Sequence, residues 1–365
     1  MYISLSPVTK RNIARIVPFG LIWLVLGMVF MFVEYAALGD FENVSSTAIR
    51  VNAQILIFAS IAVTILGLMI GAIELAWLNR TLSKKSFTIK IIYKLLFYTS
   101  FLFLIILLTF PIAASIELDA GYFDKKVWIK YIDYLTSITN VSTFVQMGLS
   151  LFISLIYAEI SENIGHNILF NFFTGKYHKP QEEKRIFMFL DMKSSTAIAE
   201  KLGHIKYFEL LKEYYNTMSD AIIRHQGEVY QYIGDEVVIS WEYEKGLNNN
   251  NCLQCFFAMK EDLQDRSVYF EKTFGLTPSF KAGLHYGMVT TGEIGALKKE
   301  IIFTGDVLNT TARIQAMCND FKVDNLLSKE LVDRLELSAK FRCSTLGEQE
   351  LKGRKESVEL VTIIQ

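Results

Sequence analysis

Hydrophobic positions run along this chain in two different rhythms. Between residues 13 and 160, four long apolar runs, Ile13–Leu38, Ala53–Leu78, Ile91–Ile116 and Ile138–Ile160, are divided by short polar segments. Each can cross about 30 Å of hydrocarbon as a helix, which takes roughly 20 residues. None has a polar face along most of its length, as a helix on the surface of a soluble protein would. The pattern predicts an all-α region, 1–160, of four transmembrane helices. From 184 to 365 the apolar runs are short and broken by charges and glycines, the rhythm of a folded α/β unit. Between them, Ile164, Ile168, Leu169 and Phe172 recur at helical spacing before a Gly, a basic cluster and a Pro. Residues 161–183 are therefore expected to be a short amphipathic linking helix and a turn.

Within the second region, RIFMFLD (Arg185 to Asp191) is too short for a confident helix and suits a buried strand ending at a carboxylate. Ser194, Ser195 and Thr196 follow as a capped helix start, whose free N–H groups can receive phosphate oxygens. A long helical pattern then stops at Gly227. YQYIGDEVVISW reads as a hairpin turning on Gly234-Asp235. Four asparagines, 248–251, suggest a loop before a helix around 253–270. FKAGLHYG is another strand, followed by a segment punctuated by Gly287, Gly292 and Gly295 and expected to be rich in turns. KEIIFTG is a strand leading into the helix DVLNTTARIQAM, where Asn309 and Arg313, four apart, share a face. A strand near 323–327, a helix near 328–337 and a final strand pair complete the pattern.

Charge orients the spans and removes some functions. Lys10, Arg11 and Arg15 precede the first span, and Arg80, Lys84, Lys85 and Lys90 fill the second connection, whereas the first carries Asp40 and Glu42. The positive-inside rule puts the N-terminus, that second connection and the C-terminal domain in the cytoplasm, with the chain multi-pass in the cell (plasma or inner) membrane. No small-residue cleavage site follows the first run, which is expected to be a retained anchor. A net charge of −1 gives no sign of nucleic-acid binding. Cys252 and Cys255 form a CxxC with no second pair and no nearby His, and are expected to be core residues. His285 and Trp241 are read as packed within the domain. Glu34 and Glu74, near span ends, are read as edge residues reaching for the interface.

Asp191 at a strand end and Asp235 at a hairpin tip can be brought together by neighbouring strands, and two converging carboxylates suit a hard cation beside a nucleotide. On pattern alone they are equally well two unrelated surface aspartates. FMFLDMKSST, YQYIGDEVVISW, GLHYGMVTTGEIG, IIFTGDVLNTTARI and ELKG together, in this order, resemble the signature blocks of the class III nucleotidyl cyclases, the adenylyl and guanylyl cyclase family. The resemblance covers about 184–365 and does not extend to the spans. It implies an α+β cyclase domain with a ferredoxin-like βαββαβ core and additional strands and helices.

Carried over residue by residue, the resemblance implies that Asp191 and Asp235 hold two Mg²⁺ (or Mn²⁺) ions per site, with the backbone carbonyl of Met192 as a further ligand. Ser194, Ser195 and Thr196 lie near the β- and γ-phosphates, Asn309 positions the ribose, Arg313 steadies charge at the α-phosphate, and Lys352 meets the terminal phosphates. The last three come from a partner chain in the family, implying a homodimer with shared sites. The base-reading positions depart from the family: they carry Gln231 and Ile302, where adenylyl cyclases usually have a lysine with an aspartate or threonine, and guanylyl cyclases a glutamate with a cysteine or serine. A glutamine can pair with adenine or, by amide rotation, with guanine; an isoleucine offers only shape. Thr304, two residues on, is a candidate for the missing acceptor. The resemblance therefore implies a membrane-bound adenylate cyclase acting on ATP, with a guanylate or mixed-specificity cyclase and a non-catalytic nucleotide sensor as alternatives. The signal or partner read by the spans is unnamed by the sequence.

Overall fold

The structure, a computed structural model, describes residues 5–38, 49–50, 52–82, 85–164, 169, 171–172, 174–351 and 357–365. Lys352, Asp40, Glu42, Lys84 and Ile168 fall outside the described residues. The chain divides into two compact units, Thr9–Phe170 and one made chiefly of Asn171–Gln365.

In the first unit, four helices among the described residues are long and apolar enough to cross a membrane, by length and composition. They are Pro7–Leu38, Ala53–Ile73 with its continuation, Phe87–Leu118 and Ile138–Ile164. Small residues let the first two approach closely, as is usual between apolar helices. A Cβ built on Gly67 would lie 2.9 Å from Trp23, and one on Gly71 2.9 Å from Phe19. The indole Nε1 of Trp23 donates to Ser154 Oγ at 3.1 Å, tying the first helix to the fourth. Glu34 is exposed, as expected.

Glu74 departs from the expectation of an edge residue: it is fully buried. It opens a π-helical turn, Glu74–Leu78, that continues the second span, and such turns commonly re-aim the residues around them. Its carboxylate pairs with Lys94 and accepts from Tyr98 Oη at 2.7 Å. Lys94 also donates to Asn79, which donates to Glu162 at 2.8 Å, so the network links the second, third and fourth spans. An ion this deep in an apolar bundle is tolerable only because it is paired. A second departure is the helix Lys125–Leu135, capped by Asp124, which the sequence pattern did not predict. Its Tyr134 stacks on Phe110 with ring centroids 4.0 Å apart.

The second unit begins earlier than expected, with β1 over Gln181–Met192. Of the anticipated linking helix, residues 161–164 prolong the fourth span, and 169, 171–172 and 174 are helical. From Ile186 to Leu190 β1 is apolar without alternation because both of its faces are covered there. Ile186, Met188 and Leu190 join the main core with Trp241, Tyr214 and Phe256, while Phe187 and Phe189 enter a second cluster with Val238, Val289 and Val307.

β2 (Glu228–Ile233) and β3 (Glu236–Glu242) form the hairpin, β4 runs Phe280–Ile294, and β5 (Glu300–Thr304), β6 (Asn325–Ser328), β7 (Arg342–Glu350) and β8 (Ser357–Ile364) complete the strands. Their order is β2-β3-β1-β4-β6-β8-β7, with β5 on β4; all pairings are antiparallel except β4 with β6. Up to β4 the succession is βαββαβ, the expected core. Two helices, Ser195–Leu202 and His204–Arg224, separated at Gly203, stand where one long pattern was read.

The segment around Gly287 and Gly292 is strand where turns were expected. The glycines serve close approach: a Cβ on Gly287 would meet Val307 at 3.1 Å, and one on Gly283 would lie 2.4 Å from the backbone of Gln315. The asparagine run is likewise the entry to the helix Asn251–Asp265, with Asn249 and Asn250 at the positive φ that asparagine tolerates. The helix expected near 328–337 is confined to Lys329–Val332. Cys252 and Cys255 are buried core residues, and burial pushes the Cys252 thiol up to about 12, where it is unreactive. His285 is buried, with Nδ1 2.8 Å from Ser328 Oγ.

Candidate active site

β1 delivers Asp191 to the sheet edge opposite Glu236 on β3 and Lys281 on β4. The hairpin turn that holds Asp235 is tight because Gly234 takes φ +65°, a conformation open to glycine. It is also clasped from outside the sheet: Tyr215, on the helix His204–Arg224, donates to Gly234 O at 2.9 Å and lies 3.3 Å from Glu236 O. The two carboxylates meet, because Asp235 is the turn residue just before Glu236, the register partner of Asp191. Burial, and then the contact with Asp235, raise the Asp191 carboxyl above its ordinary range, while Lys281 opposes the shift. Glu236 is raised too, by burial and by the two aspartates.

The cations nearby are residues the sequence pattern did not single out. Lys281 Nζ is 3.3 Å from Asp191 Oδ2 and donates to Asn319 Oδ1 at 3.0 Å, and Gln315 Nε2 donates to Asp191 at 3.4 Å. The β1–β4 register brings Lys281 there, and the helix Asp306–Ala316 and the turn after it bring Gln315 and Asn319, so no local motif announces the group. Beside them lies a cleft of about 520 Å³ lined by Lys193, Ser194, Lys281 and Lys322 among others. Lys193 is also paired with Asp324. A crowded, oxygen-only pair of carboxylates next to a lysine-rich cleft fits a hard divalent cation carrying an anionic ligand. Among the described residues no group of three His, Cys, Asp or Glu side chains converges, so the remaining ligands would be substrate oxygens, water or backbone. Met192 can offer only its backbone, since its side chain is in the core. Ser194 takes φ +56° at the start of the helix Ser195–Leu202, where Ser194 and Thr196 are exposed and Ser195 is half-buried.

The other candidates stand on β2, β5 and the helix after β5. Val307, Thr310, Thr311 and Ile314 bury one face of Asp306–Ala316, leaving Asn309 exposed and Arg313 half-buried on the other. Gln231 is exposed on β2 and Ile302 half-buried on β5. The Thr304 hydroxyl donates to Thr290 O at 3.3 Å, which leaves its oxygen able to accept.

Residues 177–364, just over half of the chain, match the family model described as the adenylate and guanylate cyclase catalytic domain. The chain belongs to this family. The chain is 33% identical over 204 residues to Adenylate cyclase 2 of Rhizobium meliloti (strain 1021), covering 56% of this chain and 56% of that protein. It is 27% identical over 183 residues to Adenylate cyclase 1 of the same organism, covering 48% of this chain and 27% of the relative. The chain thus spans about half the length, or less, of these curated relatives. A bacterial light-regulated adenylyl cyclase shares the fold, with a TM-score of 0.51 at 20% identity over 60% of this chain and 64% of that one.

Proposed function

We propose that the protein is a membrane-bound adenylate cyclase that converts ATP to 3′,5′-cyclic AMP and pyrophosphate in signal transduction. The observation that carries this reading is the contact between Asp191 and Asp235 beside the lysine-lined cleft, within a chain of the cyclase family. The names of the two Rhizobium relatives favour ATP.

Asp191 and Asp235, with the Met192 carbonyl, would hold two Mg²⁺ or Mn²⁺ ions, whose chemistry is to acidify the ribose 3′-hydroxyl and offset charge on the leaving group. The rest is positioning and charge compensation by the chain itself. The 3′-oxygen bonds to the α-phosphorus, the bond to the bridging oxygen of the β-phosphate breaks, and the hydroxyl proton passes to solvent. Arg313 meets the charge that develops at the α-phosphate, and Asn309 holds the ribose. Ser194 to Thr196 line the β- and γ-phosphates, and Lys352, with Lys281 from the cleft, meets the terminal phosphates.

Asn309, Arg313 and Lys352 serve the aspartates of a second copy, so the working unit is a homodimer with two shared sites. The four apolar helices sit in the cell membrane with the N-terminus and the cyclase domain, 184–365, in the cytoplasm, and 161–183 connects them. A guanylate or mixed-specificity cyclase is the second reading, favoured by Gln231 and Ile302 at the base-reading positions.

The test is to purify the full chain in detergent and assay cyclic nucleotide from ATP and from GTP, with Mg²⁺, Mn²⁺ or EDTA. Cyclic AMP alone, lost with EDTA, is the expected result. Comparable product from both nucleotides supports the second reading, and tight nucleotide binding without product contradicts both.

A further inference from the structure

Gln231 can bond to either purine and Ile302 offers only shape, so besides any acceptor that Thr304 supplies, discrimination at this base site depends on how the two are held apart. They stand on β2 and β5, which are not neighbours in the sheet. The strands are nevertheless joined through side chains. Phe303 N–H donates to Tyr230 Oη at 3.3 Å, and the two rings lie 4.8 Å apart at 60°. Tyr230 falls at an irregularity of the β2–β3 ladder: Val229 pairs with Ile239 and Gln231 with Val238, so β2 carries one extra residue there. Such a bulge re-aims a side chain and is typical next to functional sites.

Beneath Phe303 lies Arg185 of β1, 1% exposed, with its guanidinium carbon 4.7 Å from the ring centroid. It donates to Glu228 on β2 at 2.8 Å and to Ser240 on β3 at 3.0 Å, and its Nε has no partner. A buried arginine with an unpaired donor is a poor way to stabilise a sheet, since apolar residues of similar volume usually serve as well or better. What it does here is connect β1, β2, β3 and β5 at one point.

We propose that Tyr230, supported by Phe303 and Arg185, is a positioning residue that fixes the spacing of Gln231 and Ile302 and so sets the preference between adenine and guanine. This rests on the reading of Gln231 and Ile302 as the base-contacting pair. Among the described residues the hydrogen bonds and ring contacts of Tyr230, Phe303 and Arg185 do not run to the aspartates or Arg313, so the clasp acts on KM and specificity and not on the chemical step.

The test compares the full-length protein with Tyr230→Phe, Arg185→Lys and, as a control, Gln231→Ala, measuring kcat and KM for ATP and for GTP. GTP is read as a competitive inhibitor if it is not turned over. Tyr230→Phe keeps the ring on Phe303 and removes one hydrogen-bond acceptor, a change expected to shift the ATP-to-GTP preference about fivefold through KM, with kcat within about twofold. Hydrogen exchange at the Phe303 amide should quicken in the same variant. Arg185→Lys keeps the charge but not the two-strand grip and should shift the preference in the same direction. If Gln231→Ala changes the preference while Tyr230→Phe and Arg185→Lys do not, the clasp is wrong and the base assignment stands. If Gln231→Ala leaves the preference unchanged, the base assignment is wrong and the clasp falls with it.

Discussion

In the four-span unit only 22–28% of the residues in each span's most apolar stretch are buried, whereas in β1 of the cyclase unit six successive residues, Arg185 to Leu190, are buried on both faces. The two units are inverted in the kind of side chain that each exposes. The spans turn Val25, Val29, Phe32 and Ile57 outward and keep Glu74, Ser150 and Ser154 inside. The cyclase unit packs its apolar side chains inside and leaves Asp191, Asp235 and the lysines at a rim. Hydrophobic pattern therefore reports the inside of the cyclase unit, whereas in the span unit apolar residues both line the outside and fill a buried cluster of Phe19, Trp23, Leu66, Ile70 and Leu102. The polar residues that matter in the spans are the ones such a pattern treats as exceptions.

The comparison can be broken first at Arg313. Its replacement by Ala should leave nucleotide binding largely intact and cut turnover by about three to five powers of ten, the scale of an arginine that meets transition-state charge. Equal losses in binding and in turnover would show it to be an ordinary surface charge.

In the span unit the largest effect should come from Glu74. Glu74→Ala leaves the Lys94 ammonium in an apolar bundle without its partner and should cost about 3–5 kcal/mol, read as a fall in the unfolding midpoint of the detergent-solubilised chain. The double replacement Glu74→Met with Lys94→Met should cost much less, because it removes both charges. Equal losses would mean that the pair is not desolvated and that the inversion is incomplete.

A smaller effect tests the rim of the cyclase unit. Tyr215→Phe removes the hydroxyl that clasps the Gly234 turn and should cost about 1 kcal/mol, together with weaker Mn²⁺ binding measured by calorimetry. Unchanged Mn²⁺ affinity would detach Asp235 from metal holding. The smallest effect is acid sensitivity at His225. Burial holds its imidazole below the usual 6.5, so the folded chain binds fewer protons there than the unfolded one. That share of stability is present above about pH 6.5 and is lost as the pH falls through the folded value. His225→Asn should therefore lose less stability than the parent between about pH 7.5 and about pH 5.5.

Much of the architecture was legible because it is written in local patterns. The span lengths, the hairpin at Gly234 and the doubly covered strand before Asp191 need only neighbouring residues to specify them. What was missed depends on distant ones. Gly287 and Gly292 looked like turn markers because sequence shows a missing side chain but not the Val307 or Pro180 that fills the space. Lys281 looked like one surface lysine among many until β4 was laid in register against β1. Tyr215 reaches the turn from a helix, nineteen residues before Gly234, and the sequence shows it only as one position in a long helical pattern. Glu74 was misjudged because its depth depends on Lys94 and Tyr98 in another span. In the candidate site, the aspartates, Asn309 and Arg313 are proposed from signature blocks, while Lys281, Gln315 and Tyr215 beside the aspartates belong to no block.

The central claim is that each site is shared between two copies, with Asp191 and Asp235 from one and Asn309 and Arg313 from the other. Co-expressing full-length Asp191→Ala and Arg313→Ala chains, each inactive alone, tests it most directly. Random pairing makes half of the dimers mixed, each with one intact site, so about a quarter of the parent cyclase activity should return. No recovery from chains shown to have mixed would contradict the shared site.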